Sequence, residues 1–199
     1  MNAKTTSSTE SARDRIVNVA MDLFYQQGFR ATGINEVIEK SGVAKATFYH
    51  HFSTKDELCQ VYLQQLRDKE VLHLEKHIGT AKGALNRFLA PMRSVEPWLK
   101  DTNFRGCPFV NIASEVPDFK HPLRKEGLKV YDDAHDKMKK VTQELVDSDP
   151  EQYGHLDVDQ ITNDYVLIFA GAISLAEVYH DVWPVKHAEQ TLLRLIGEA

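Results

Sequence analysis

Residues 32–58 read TGINEVIEKSGVAKATFYHHFSTKDEL, and the fold turns on them. Ile34, Val37 and Ile38 recur at helical spacing, Gly42 breaks the run, and a second helix over residues 45–51 puts Phe48 and Phe52 on its inner side. Two short helices joined by a glycine turn make a helix-turn-helix. The second is too short and too polar outward to be explained by burial, because Lys45, Thr47, Tyr49, His50 and His51 all carry hydrogen-bond donors. Such a helix presents its face to a partner. The major groove of double-stranded DNA accepts a helix whose side chains reach phosphates and base edges.

The segment resembles the DNA-binding domain of the TetR family of bacterial repressors through Gly42-Val43, Thr47-Phe48-Tyr49, His51-Phe52 and Ser53-Thr54-Lys55. It departs at Ala44, where many members have a serine, so one helix cap and one polar contact are missing. The resemblance implies an all-α fold: a three-helix DNA-binding domain, residues 1–55, then a helical effector-binding and dimerisation domain, residues 56–199. Carried onto this chain, it implies that Tyr49, His51 and Lys55 meet phosphates and that Lys45, Ala46, Thr47 and His50 lie closest to base edges. Thr32 stands where it would cap the second helix, and the resemblance adds a backbone phosphate there. A homodimer on a palindromic operator, released by a small-molecule effector, is also implied.

Bulk properties agree with that division. At 199 residues the chain holds one sizeable core, or a small domain joined to a larger one, and 42% hydrophobic with 27% charged residues is ordinary for a globular protein. The net charge of −5 is unevenly spread: through Lys55 seven basic residues stand against five acidic ones, and beyond it 17 against 24. A mildly basic head on an acidic body suits contact with phosphate at one end. No run of about 18 apolar residues is expected to span a bilayer, and the N-terminus lacks the apolar core of a secretory signal, so a cytoplasmic location without membrane contact is expected. Cys59 and Cys107 form no disulfide framework and no CxxC unit, and no cofactor is expected.

Along the chain, residues 1–10 read as a mobile tail whose Lys4 could reach a groove. A first helix over residues 11–27 is capped by Ser11 and stopped by Gly28. Ser53 with Asp56 launches a long helix to about His77, a stiff link between the domains on which Cys59 is a small packing residue. Leu85, Phe88, Leu89 and Met92 form a stripe that Pro91 should kink or end, and Pro108 suits a helix's first turn. A long amphipathic helix follows Pro122, then a polar connection over residues 147–157, an apolar helix over 158–179 and a last helix from Lys186.

The effector site is expected among Phe88, Met92, Trp98, Phe104, Cys107, Phe109 and Val110, large residues gathered around the helix breaks at Pro91 and Pro108. In the resembled family the last two long helices dimerise, which assigns Ile168, Phe169, Ala172, Leu192 and Leu193 to the interface. Cys107, near a helix N-terminus and after Arg105, is expected to have a depressed pKa. That leaves open a regulator sensing oxidants or electrophiles through this thiol. An enzyme could use Cys107 with a nearby histidine, or Glu115 with Asp118, yet no local signature supports either and the helix-turn-helix would go unexplained. His73 and His77, four apart, read as a solvated helix face, since two ligands do not complete a metal site.

Overall fold

The computed structural model describes residues 10–198; the tail and Lys4 lie outside the described residues. Every regular element among the described residues is an α-helix. The chain divides into two compact units, Met1–Gln64 and Gln65–Ala199.

In the first unit, α1 (Ala12–Gln27) begins at Ser11, whose hydroxyl accepts the Asp14 N–H at 3.1 Å. Ile16, Val17, Ala20, Leu23 and Phe24 recur at helical spacing and are buried, and the Gly28 N–H closes the helix on the Phe24 carbonyl. α2 (Ile34–Ser41) ends at Gly42, which takes the left-handed conformation at φ 65 that lets the chain reverse without a Cβ clash. α3 (Lys45–His51) follows as expected, with Phe48 and Phe52 buried against the unit's core.

Thr32 departs from expectation. It is fully buried, and its hydroxyl donates at 2.7 Å to the Gly28 carbonyl, so it neither caps α2 nor offers its side chain to a phosphate. The reason is local: the turn leaving α1 brings the Gly28 carbonyl, which also accepts the Thr32 N–H at 3.3 Å, within reach of the hydroxyl. α2 starts instead from Gly33 without a side-chain cap.

The boundary also moves. α4 (Lys55–Thr80) crosses from one unit to the other, and its first turns contribute Leu58, Cys59, Tyr62 and Leu63 to the first core. Tyr62 meets Phe24 edge-on at 5.6 Å. The small domain therefore extends past residue 55, because three short helices need this fourth wall to bury their aromatic residues. Its cap is one residue beyond Ser53: Thr54 accepts the Glu57 N–H at 3.1 Å while the Glu57 carboxylate accepts the Ser53 N–H at 2.8 Å.

The second unit holds the rest of α4, then α5 (Ala84–Asp101), α6 (Pro108–Glu115), α7 (Pro122–Ser148), α8 (Pro150–Tyr153), α9 (Val158–Tyr179) and α10 (Trp183–Leu195). α7 packs on α5, α6 and α9, and α10 on α5 and α9. Phe88, Met92, Leu99, Met138, Tyr165 and Leu192 lie at the centre of the core. Pro91 does not end its helix: α5 runs through both Pro91 and Pro97. Tyr165 from α9 accepts the Met92 N–H at 3.2 Å and donates to the Phe88 carbonyl at 2.7 Å, supplying partners where the proline loosens the ladder.

Two shorter differences have equally local causes. The polar connection contains α8, capped by Asp149 and anchored by buried Tyr153. α10 begins at Trp183, because Pro184 fits a first turn rather than preceding it. Contrary to the expectation that no stretch is apolar enough to span a bilayer, α9 is long and apolar enough to do so by length and composition, at mean hydropathy 1.3. One of its faces, through Ile161, Tyr165, Ala172 and Ala176, packs into the core.

Candidate functional site

Two places in the chain carry recognition chemistry, one in each unit. On α3, burying Phe48 and Phe52 leaves Lys45, Ala46, Tyr49 and His50 exposed on one face by the helical period. Thr47 and His51 flank them half-buried. Tyr49, 45% exposed, rests edge-on against Phe48 at 5.3 Å, which holds its hydroxyl outward from a rigid base. Exposed lysine, tyrosine and histidine donors on a packed helix are the equipment for phosphate and base-edge contact.

Lys55 is placed differently from a freely projecting phosphate contact. Its ammonium donates to the carbonyls of Phe29 at 2.9 Å and Thr32 at 3.1 Å and lies 4.5 Å from the Phe29 ring centroid. Two of its three donors are thus committed to the turn between α1 and α2.

In the second unit a cavity of about 90 Å³ opens among α4, α5, α6, α7 and α9. Of the seven residues expected around an effector, Trp98, Cys107 and Phe109 line it. Phe88 and Met92 do not: both are wholly buried in the core, where Phe88 packs on Tyr165 at 5.0 Å. Phe104 lies against His180 at 4.7 Å, at the end of α9. Val110 is exposed and faces a separate open groove of about 530 Å³ between α6 and α7, bordered also by Phe119, Leu128 and Arg124. Phe109 and Tyr131 border both spaces. The error has one cause: helical spacing marks apolar residues without saying whether a neighbour fills the space in front of them.

The cavity's polar residues Glu70, His73 and Tyr131 look in the sequence like ordinary members of amphipathic helices. The reading of His73 as part of a solvated face is corrected: it lines the cavity, its ring lies 4.1 Å from that of His77, and its Nε2 is buried. Burial, then the neighbouring His77 and Lys76, lower its pKa and favour neutral imidazole. Burial raises the Glu70 pKa, favouring the protonated acid. Among the described residues no group of three or more metal-binding side chains is present.

Cys107 is also corrected. It caps α6, as its position promised, but its pKa is raised: burial outweighs the Val110 and Phe109 amides and the Tyr131 hydroxyl, 3.7 Å from the sulfur. Arg105 does not offset this, for its guanidinium pairs with Glu177 at 3.1 Å. Between them Gly106 adopts φ 75, and a Cβ there would collide with the Glu177 carboxylate. The turn therefore fixes the thiol's place without activating it. Its hydrogen-bonding neighbour is a tyrosine rather than a histidine base.

The residues expected at a dimer interface lie mostly against their own body. Ala172 and Leu192 are buried in the protomer's own core, Ile168, Phe169 and Leu193 pack against it, and Phe169 lines the cavity. α9 turns one face to its own body, so the opposite stripe stays in water: Leu167 at 71% exposure, Gly171, Leu175 and Val178 at 77%.

Comparison with known proteins matches residues 16–61 to the family described as bacterial regulatory proteins, tetR family, and residues 84–192 to the tetracyclin repressor-like C-terminal domain. The chain is 27% identical to the uncharacterized HTH-type transcriptional regulator YxaF of Bacillus subtilis (strain 168) over 63% of this chain and 66% of YxaF. It is 26% identical to the uncharacterized HTH-type transcriptional regulator MT0206 of Mycobacterium tuberculosis (strain CDC 1551 / Oshkosh), over 94% of this chain and 95% of that protein. The match spans less than two thirds of the length of several curated relatives, YxaF among them. In architecture it is similar to SCO4454, a TetR-family transcriptional regulator from Streptomyces coelicolor, with TM-score 0.78, 26% identity and coverage of 93% and 92% of the two chains.

Proposed function

The chain belongs to the TetR family of bacterial regulatory proteins, and from that premise we propose that it is a homodimeric repressor that leaves a palindromic operator when its body takes up a small effector. The observation that carries the DNA reading is α3, where buried Phe48 and Phe52 hold Lys45, Tyr49 and His50 in water on one face. Nothing in the packing of the small unit requires those three side chains outside. Regulation at DNA puts its work in the bacterial cytoplasm.

Dimerisation is supported by the exposed stripe of α9, because Leu167, Leu175 and Val178 in water form an apolar surface of the kind that marks an interface. Two copies paired through it would present two recognition helices to a two-fold operator. Effector control is supported by the cavity and by α4, which lines that cavity at Glu70, His73 and Leu74 and also supplies core residues to the DNA-binding unit. A ligand that alters this helix changes the operator-bound population only through unequal affinity for the two states. The raised pKa of Cys107 favours a reversible ligand over a thiol sensor.

The direct test is retardation of DNA from beside the protein's own gene, with and without small compounds. Salt-sensitive retardation that a compound reverses supports the reading, whereas intact protein that retards no such fragment overturns it.

A further inference from the structure

The inference here rests on the body being the effector-binding unit, and concerns what that unit takes. The cavity's volume, about 90 Å³, is below the ~150 Å³ of an engineered cavity that holds benzene, so the occupant is compact. Most of its wall is apolar, with Leu74, Val95, Met138 and Ile173 in it. The wall's hydroxyl, imidazole and thiol groups are engaged within the body. Ser94 donates to the Pro91 carbonyl at 2.8 Å, the His73 imidazole hydrogen-bonds with the Ser94 backbone, and the Tyr131 hydroxyl meets the Cys107 sulfur at 3.7 Å.

Three side chains that can carry charge complete the wall: Glu70, Asp133 and Lys137. Asp133 is matched by Arg67 at 3.3 Å, and Lys137 by Glu75 at 2.7 Å. Glu70 has no such match: among the described residues, no hydrogen bond or ion pair reaches its carboxyl. Half-buried on α4, it meets desolvation that nothing offsets, and its pKa rises. We propose that the cavity binds a compact alkylammonium ion, whose charged N–H donates to the carboxylate of Glu70 while its hydrocarbon part fills the apolar wall. The cation brings the counter-charge that the body does not supply, and a hydrogen bond between ions is about twice as strong as one between neutral groups. Trp98, Phe109 and Tyr131 place aromatic rings in the same wall, and ring faces attract cations. A tertiary ammonium suits the site best, because its single N–H is satisfied by one carboxylate and its remaining surface is apolar. An alcohol would leave Glu70 without an opposite charge. An anion would enter beside two carboxylates, Glu70 and Asp133, with the one ammonium of the wall already held by Glu75.

Trimethylammonium, tert-butanol and isobutyrate are close in size and separate these cases. Binding is measured by calorimetry and thermal shift at constant ionic strength on the full chain without DNA, so that operator binding stands or falls separately. Trimethylammonium is expected to bind about tenfold more tightly than tert-butanol, the difference between a charged and a neutral hydrogen bond, and isobutyrate is expected not to bind. Glu70→Gln keeps the size and hydrogen-bonding capacity of the side chain without its charge, and should abolish the preference for the ammonium. Glu70→Asp, which returns the charge on a shorter stem, should restore part of it. Equal affinity for trimethylammonium and tert-butanol, binding of isobutyrate as tight as that of the ammonium, or an ammonium preference that survives in a folded Glu70→Gln would overturn the proposal. If Glu70→Gln does not fold, the wild-type order of the three probes still decides. Intact operator binding without the ammonium preference defeats this inference alone, while the preference without operator binding defeats the repressor reading.

Discussion

Tyr165 donates its hydroxyl to the carbonyl of Phe88 at 2.7 Å, at the step of α5 loosened by Pro91, and the same oxygen accepts the N–H of Met92 at 3.2 Å. An unbroken helix would join those two backbone groups directly. Burial raises the pKa of Tyr165 and keeps the phenol neutral, so it can donate and accept at once. Tyr165→Phe should therefore cost about 2–3 kcal/mol, the penalty for orphaning buried backbone groups. In Pro91→Ala the ladder can close by itself, and the double variant should lose less stability than the two single changes added together. Urea denaturation of the four proteins measures the coupling; strict additivity would mean that the hydroxyl does not serve the proline step.

Lys55 locks the turn between α1 and α2 through the Phe29 and Thr32 carbonyls. Lys55→Ala should lower the stability of the DNA-binding unit by about 1–2 kcal/mol, a value reduced for its partial exposure. Thermal unfolding followed by the aromatic signal tests this. Unchanged stability would return Lys55 to the role of a surface cation.

Glu70 gives a dependence on pH. Its folded-state pKa is raised from the ordinary 4.5 by burial, so ionising it costs stability. Below 4.5 the acid is neutral whether folded or unfolded and costs nothing; the penalty grows as pH rises from there through the folded pKa. Glu70→Gln should therefore gain stability over the wild type with rising pH, with a constant difference in acid. A gain that shrinks as pH rises would reverse the assignment.

Much of the fold was legible because its signals are local. Ser11, Gly28 and Gly42 stop and start helices through their own backbone and side chains, and α3 fell where its residues placed it. What escaped depends on residues distant in sequence. Pro91 stays inside a helix because Tyr165 arrives from α9, and Cys107 stays a thiol because burial outweighs its position at a helix start. α9 is apolar on more than one face, so its sequence could not tell which face its own body would take and which would stay exposed.

That distinction yields a paired prediction on α9. Val178→Arg places a charge on the exposed stripe and should give folded monomers, while Ala172→Arg forces one into the protomer's core and should unfold the body. Sedimentation velocity with circular dichroism separates the outcomes. A Val178→Arg protein that is still dimeric would move the interface away from this stripe.

The recognition face of α3 tests the account most directly. Fluorescence anisotropy with DNA from beside the protein's own gene, titrated at several salt concentrations, should show tight, salt-dependent binding by the wild type. Lys45→Ala and Tyr49→Ala alter exposed positions and should retain native helicity, yet each should weaken binding by about tenfold or more, near the discrimination of a good base contact or a lost charged hydrogen bond. Folded variants that bind this DNA as the wild type does, with the same salt slope, would contradict the assignment of α3 as the DNA-reading helix.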